Sequence, residues 1–298
     1  MDLSKIKYNF LQSNATKKLI YINVAMFLVV AILNIVWKLA GIYGDDFALF
    51  LQLPSSVEVL KNQWWSVLSY MFLHTGLWHL FFNMLCLYWF GQIFLMHFRE
   101  KQLIGLYLLG GVLGGVVYMV SYAIFPYFRG QTAWLCGASA SIFALIVASA
   151  LQSPNMPIRF FLIGEIKLKW IALISVIISV LGINNDNAGG EIAHIGGAIG
   201  GLVWFALHSK GLDLTQPIDS VMVFFSNLWC RVFGGTKTMK VKRPNQQYHY
   251  VKPDEEYNQE RKHNSQRLDE ILDKIRKSGY SSLSEQEKKE LFEVSNKV

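Results

Sequence analysis

The sequence predicts an all-α membrane protein, a bundle of six transmembrane helices followed by a small helical tail. Three observations carry that expectation. Four windows, Leu19–Trp37, Asn62–Phe98, Leu103–Phe128 and Thr132–Ile158, contain no Asp, Glu, Lys or Arg. Each is long enough to cross a hydrocarbon core, which takes about 20 apolar residues. Two shorter windows, Trp170–Asn185 and Ile192–His208, are equally free of charge. Composition agrees, with 52% hydrophobic and 16% charged residues, where a soluble domain carries about 25% charged.

Taken in order, span one is placed at 19–38. It lacks a small-residue cleavage site and runs too long for a signal peptide, so it is expected to remain as an anchor. The second window is too long for one helix. Its span is set at 77–96, with the residues before it as an entry loop or interfacial element. Spans three to six are set at 103–125, 137–153, 169–183 and 192–208. Small residues recur at i, i+4 in three of them: Gly110–Gly114 and Gly111–Gly115, then Ala140, Ala144 and Ala148, then Gly197 and Gly201. Such faces let helices approach closely.

The chain therefore divides into a cytoplasmic segment (1–18), a six-helix bundle (19–208), an interfacial and basic linker (209–252) and a helical hairpin (253–298). Within the linker, Val221, Phe224, Phe225, Leu228, Trp229 and Val232 fall on one helical face, which suits a helix lying on the membrane. Lys237, Lys240, Lys242 and Arg243 follow it and suit anionic headgroups. In the tail, Leu268, Ile271, Leu272 and Ile275 form an amphipathic helix stopped by Gly279. Ser284 with Glu287 is a capping box opening a second helix. The hairpin packs on itself or offers its face to a partner or a second copy.

Orientation follows from the cationic residues. One set of connections carries Lys5, Lys7, Lys17, Lys18, Arg99, Lys101, Arg159, Lys167 and Lys169; the alternate set carries only Lys38, Lys61 and Arg129. The basic set belongs inside, so both termini are expected on the cytoplasmic side of the inner (cytoplasmic) membrane. The net charge of +7 is then a topology signal, not a nucleic-acid footprint. Cys86, Cys136 and Cys230 are separated by that topology, and no disulfide is expected.

Polar residues inside a bilayer are costly and usually functional. His79 and Asn83, at i, i+4, open span two; Ser139 opens span four and His194 opens span six. These spans run in the same direction, so all four residues lie at similar depth. A serine hydroxyl needs a base to become a nucleophile, and His194 is the candidate. His79, Asn83 and the free N–H of Ser139 are candidate donors to an oxyanion. No Asp or Glu falls within the spans to orient His194, so a Ser–His dyad is expected in place of a triad. There is no His-Glu-x-x-His pattern, so no metal is expected, and Asp45 and Asp46 fall in the first external loop and form no intramembrane pair. No Gly/Pro-broken helices recur in two halves, as a transporter would require.

Three stretches carry a resemblance: "HTGLWHLFFN" with His74, His79 and Asn83, "GASA" from Gly137 around Ser139, and "AHIGGAIGG" around His194. In this order and on spans two, four and six, they resemble the rhomboid intramembrane serine proteases over residues 17–208. The resemblance implies Ser139 as nucleophile, His194 as base, and His79 and Asn83 as oxyanion stabilisers. It implies His74 as a structural residue, with Gly137, Gly197 and Gly201 also structural near the site. It further implies action without a metal or cofactor on transmembrane segments of other membrane proteins. Two positions depart from the family pattern: Ala140 stands where a second glycine is usual, and Ser66 where Arg often follows Trp. An inactive relative that only binds membrane clients is the alternative; such relatives typically lose the serine or the histidine, and this chain keeps both.

Overall fold

The computed structural model describes residues 8–10, 12–41, 47–160, 164–216 and 254–295. It separates into two compact units, Met1–Gly235 and Thr236–Val298. Among the described residues, the first contains six apolar helices, α1 (Ala15–Leu39), α2 (Leu77–Leu95), α3 (Glu100–Ile124), α4 (Ser139–Gln152), α5 (Leu168–Gly182) and α6 (Ala188–His208). Polar residues at their ends extend several of them past the charge-free windows. The Asn14 side chain caps α1 by accepting from the Lys17 N–H at 3.1 Å, and the Glu100 carboxylate accepts from the Ala15 N–H at 3.0 Å.

Four helices, α1, α2, α3 and α6, are long and apolar enough to cross a membrane. The expectation of six spans is thus met in part, with α4 and α5 below that length. At 14 and 15 residues, α4 and α5 extend about 21 and 22 Å at 1.5 Å per residue, short of a hydrocarbon core of about 30 Å. The reason in α4 is local. The window from 132 begins as an extended segment, β1 (Leu53–Pro54) pairing antiparallel with β2 (Trp134–Leu135). The chain then turns at Gly137, where φ is +130°, before helix begins at Ser139. A second departure from an all-α chain lies between α4 and α5, where β3 (Pro157–Phe160) pairs with β4 (Gly164–Lys167). Arg159 faces Glu165 across that ladder at 2.6 Å.

The long second window resolves as expected into an entry region and a span. Short helical turns at Val57–Asn62, Ser66–Ser69 and Tyr70–Phe72 precede α2. Trp65 Nε1 donates to the Phe50 carbonyl at 2.7 Å, and Ser69 Oγ donates to the Leu51 carbonyl at 2.7 Å. Ser66, at the departing position, is fully buried, so this loop is held by Trp65 and Ser69.

Packing is most extensive where α6 meets α3 and α4. Small residues make it possible. A methyl on Gly197 would overlap the Ala140 carbonyl oxygen, one on Gly201 would overlap that of Ala144, and one on Gly196 would lie 2.8 Å from the Gly114 Cα. The extra methyl of Ala140 has a seat for the same reason: a Cβ on Gly114 would come within 2.6 Å of it, so the glycine opposite supplies the room. Outward faces remain apolar, among them Ile32 and Leu39 on α1 and Ile178 and Leu181 on α5, which suits lipid as the surrounding solvent. At the far end from Ser139, Asp213 accepts from Thr215 Oγ1 at 2.6 Å, Gln102 Nε2 at 2.8 Å and Trp204 Nε1 at 3.3 Å. Burial opposes its ionisation, yet these bonds together hold its carboxyl below the usual range.

The second unit holds α7 (Asp254–Ser278) and α8 (Glu285–Ser295). Ile271 and Leu283 are buried, whereas Leu272 is 47% exposed, so only part of the apolar face is used. The Gly279 N–H bonds to the Ile275 carbonyl at 2.9 Å and ends α7. Ser284 and Glu287 exchange both bonds of a capping box, at 2.7 and 3.3 Å. The expected interfacial helix at 217–233 and the basic residues after it lie outside the described residues. Glu287 also holds Lys274 of α7 at 2.9 Å. The Ser284 N–H, and then Lys274, pull its carboxyl down to about 2. A depressed acid stabilises the fold above its ordinary value and loses that effect as pH falls. Amide protection of α8, followed by hydrogen exchange, should therefore decline between about pH 4.5 and 2 in the wild type, and Glu287→Gln should show the low-pH behaviour already at pH 7.

Candidate active site

Ser139 owes its position to the turn before it. The β1–β2 pair and a bond from the Gly137 N–H to the Tyr70 carbonyl at 3.0 Å fix the approach. A positive φ of +130° favours glycine at 137. Space demands it too, because a Cβ there would lie 3.0 Å from His79 Nε2. Helix then starts abruptly. The first bonded amide of α4 is Ile142, to the Ala138 carbonyl at 3.0 Å, so the N–H groups of Ser139, Ala140 and Ser141 lack helical partners and carry the positive end of the helix dipole.

From α6, His194 reaches this point. Its Nε2 lies 2.7 Å from Ser139 Oγ, within the range of an O–H···N hydrogen bond. Two features hold the ring. Phe143, one turn beyond Ser139, stacks on it with centroids 4.6 Å apart and planes 8° from parallel. The close passage of Gly197 against Ala140 sets the distance between the two helices. Ser141 is different: it is fully buried, and its hydroxyl lies toward Gly111 of α3.

His79 and Asn83 stand on the same side of α2, and His79 flanks Gly137 next to Ser139. The Asn83 amide donates one hydrogen to the His79 carbonyl at 2.9 Å and retains a second. His74 is buried with neither ring nitrogen bonded, and its ring meets that of His79 edge-on at 5.0 Å. Ser139, His194, Gly137 and His79 are thus neighbours, with His74 beside His79; Asn83 lies one turn along α2 from His79, Gly197 packs on Ala140, and Gly201 packs farther along, on Ala144.

One expectation is overturned. The charge-free window set the start of span six at Ile192, which left Glu191 outside. Helix α6 begins earlier, at Ala188, and carries Glu191 in its first turn. At i, i+3 its Oε2 lies 3.2 Å from His194 Nδ1, and the two side chains are 19% and 16% exposed. Ser179 Oγ of α5 lies 3.1 Å from the same nitrogen. An acid does face His194. Acidic residues suit the first turn of a helix, so a charge near a window's edge marks a helix start as readily as a loop. Sequence reasoning also missed Phe143 and Ser179. The first was legible as Ser139 plus four, on the same helical face; nothing in sequence marked the second. Among the described residues, no three His, Cys, Asp or Glu converge as a metal site would require.

A family model described as "Rhomboid domain" matches residues 61–211, half of the chain. The chain belongs to the rhomboid family. A second model, "Family of unknown function (DUF6576)", matches residues 253–297. Among curated relatives, this rhomboid chain is 32% identical over 162 residues to "Rhomboid protease GluP" of Bacillus subtilis (strain 168), covering 52% of this chain and 27% of that protein. It is 28% identical over 158 residues to "RHOMBOID-like protein 12, mitochondrial" of Arabidopsis thaliana, covering 49% of this chain and 47% of that protein. This rhomboid thus spans less than half the length of these relatives. Family membership leaves two activities in view, an intramembrane protease and an inactive rhomboid-like protein, both multi-pass and both lodged in lipid.

Proposed function

We propose that the chain is an intramembrane serine endopeptidase that cleaves transmembrane segments of other membrane proteins. The single observation that supports this reading most is the 2.7 Å contact from His194 Nε2 to Ser139 Oγ at the open N-terminus of α4. In the first half-reaction the Ser139 hydroxyl proton passes to Nε2 while Oγ bonds the scissile carbonyl carbon and its oxygen becomes an oxyanion. The C–N bond then breaks, and the leaving amine takes the proton from Nε2. Water next gives a proton to His194 and adds to the acyl carbon; collapse returns that proton to Ser139 and frees the acid. His79, Asn83 and the free amides of α4 stabilise both oxyanions.

In this reading all six apolar helices are embedded, with α4 reaching Ser139 from below a short extended entry, and both termini face the cytoplasm in an inner membrane. The boundaries at 18, 208 and 252 are part of the same proposal, as is a partner or a second copy for the 253–298 tail.

The test is cleavage of a reporter transmembrane segment by purified protein in proteoliposomes. Cleavage by the wild type and none by Ser139→Ala is the expected result; a wild type that binds the reporter without cutting it would favour the inactive relative. Roles can be separated further. His79→Ala and Asn83→Ala should each lower kcat about 10²–10³-fold, the usual loss for one oxyanion donor. Both should leave Ser139 able to react with a small fluorophosphonate. If either blocked that reaction in folded protein, the residue would belong to nucleophile activation.

A further inference from the structure

Resting on the protease reading, we infer that Glu191 and Ser179 are positioning residues for the base, so that the working unit is a relay of Glu191, Ser179, His194 and Ser139 and not a bare dyad. A carboxylate can only accept hydrogen bonds. With Glu191 Oε2 at 3.2 Å and Ser179 Oγ at 3.1 Å from Nδ1, the ring proton of neutral His194 belongs on Nδ1. Nε2 is then left as the acceptor for the Ser139 proton at 2.7 Å. The opposite tautomer would leave two lone pairs facing each other at Nδ1 and Oε2. When Nε2 takes the serine proton, the imidazolium finds a negative charge already in place and pays little reorganisation.

A second, independent observation shows that the carboxylate has a seat. The end of α5 presents Gly182 to it, and a methyl there would come within 2.9 Å of the Glu191 carboxyl carbon. Ser179, one turn earlier on the same helix and 2% exposed, reaches the same ring nitrogen as the carboxylate, at 3.1 Å. Helix α5 therefore clamps the acid from one side while α6 supplies it from the other. The rival role for Glu191 is to complement the dipole of α6, which needs neither Ser179 nor Gly182.

Two readouts separate these roles. Among the described residues, the titratable groups facing His194 are Glu191 from its own helix and His79 from α2; Ser139 and Phe143 of α4 and Ser179 of α5 complete its surroundings. Glu191→Gln keeps shape and removes the charge that faces the imidazolium. Its kcat should fall about 10–100-fold, with KM nearly unchanged. Glu191→Asp should recover part of the loss. Gly182→Ala should lower kcat in the wild type and have little further effect in Glu191→Ala, since a methyl with no carboxylate to displace costs nothing there. Independently of cleavage, ¹⁵N NMR of labelled histidine, with His194 assigned by its loss in His194→Asn, reads the tautomer directly: Nδ1–H is expected in the wild type and is lost when Glu191 and Ser179 are both replaced by Ala. An Nε2–H tautomer in the wild type, or no change in the double variant, would overturn the relay whatever the rates. The expected tautomers in a protein that cuts nothing would uphold the relay and sink only the protease reading.

Discussion

His194→Ala is expected to silence the protein twice over, losing cleavage of a transmembrane reporter and reaction of Ser139 with a fluorophosphonate. The physical reason is the proton. A serine hydroxyl is far too weak an acid to ionise unaided at neutral pH, and its acceptor here is Nε2 at 2.7 Å. Where serine and histidine act as a unit, removing either alone costs on the order of 10⁶ in kcat, as much as removing both. Ser139→Ala, His194→Ala and the double variant should therefore be equally inactive. The fold should survive in each, because alanine leaves the Gly197–Ala140 passage untouched and removes only side chains at the rim of a helix start. Thermal unfolding in detergent checks that. Normal fluorophosphonate labelling of folded His194→Ala would remove the base from the mechanism, and cleavage by clean Ser139→Ala would remove the nucleophile. Ser141 is then the next candidate along α4, but its burial toward Gly111 puts it out of line.

Gly197→Ala is expected to be nearly as damaging to activity while acting wholly through packing. The added methyl would overlap the Ala140 carbonyl oxygen, and backbone cannot swing away as a side chain can. Overpacking of this kind typically costs about 1–3 kcal/mol, visible as a lowered melting temperature. The relief available is for α6 to back away from α4, which lengthens the Ser139–His194 contact. A misplacement of about 1 Å at reacting atoms can cost about 10² in rate, so kcat should fall at least that far. Gly200→Ala is the control on the same helix. Its methyl would meet the Leu113 side chain at 3.2 Å and the Gly110 Cα at 3.3 Å, contacts that a small adjustment relieves, so its rate should stay within a few-fold of wild type. Equal effects of the two substitutions would show that the α4–α6 distance does not control the site.

The embedded class, the entry region before α2 and the placement of the polar residues near the starts of their helices were legible in the linear chain. Hydrophobic length and charge exclusion are summed along the backbone and need no partner, so Leu19–Trp37 or Leu103–Phe128 can be read without knowing what they touch. The same holds for Ser139, His79, Asn83 and His194, because helix direction alternates and a residue's distance from its span's start is a one-dimensional quantity. Small-residue spacing at Gly197 and Gly201 likewise announced a close approach, although not to which carbonyl.

Tertiary structure alone decided the rest. Charge-free windows cannot distinguish helix from extended chain, so the strand at Trp134–Leu135 stayed hidden until its partner, Leu53–Pro54, was in place, whereas the start of α4 falls within two residues of the expected 137. They also misassigned Glu191, because a charge at a helix's first turn is stabilised by the helix dipole and by contacts from other helices that a window cannot register. Ser179 had no signal of its own: on α5 it is one of two serines in an apolar run, and it gains meaning only because α6 brings His194 Nδ1 to 3.1 Å from it. Position along each helix was written in sequence; the lateral neighbours were set by which helices pack side by side.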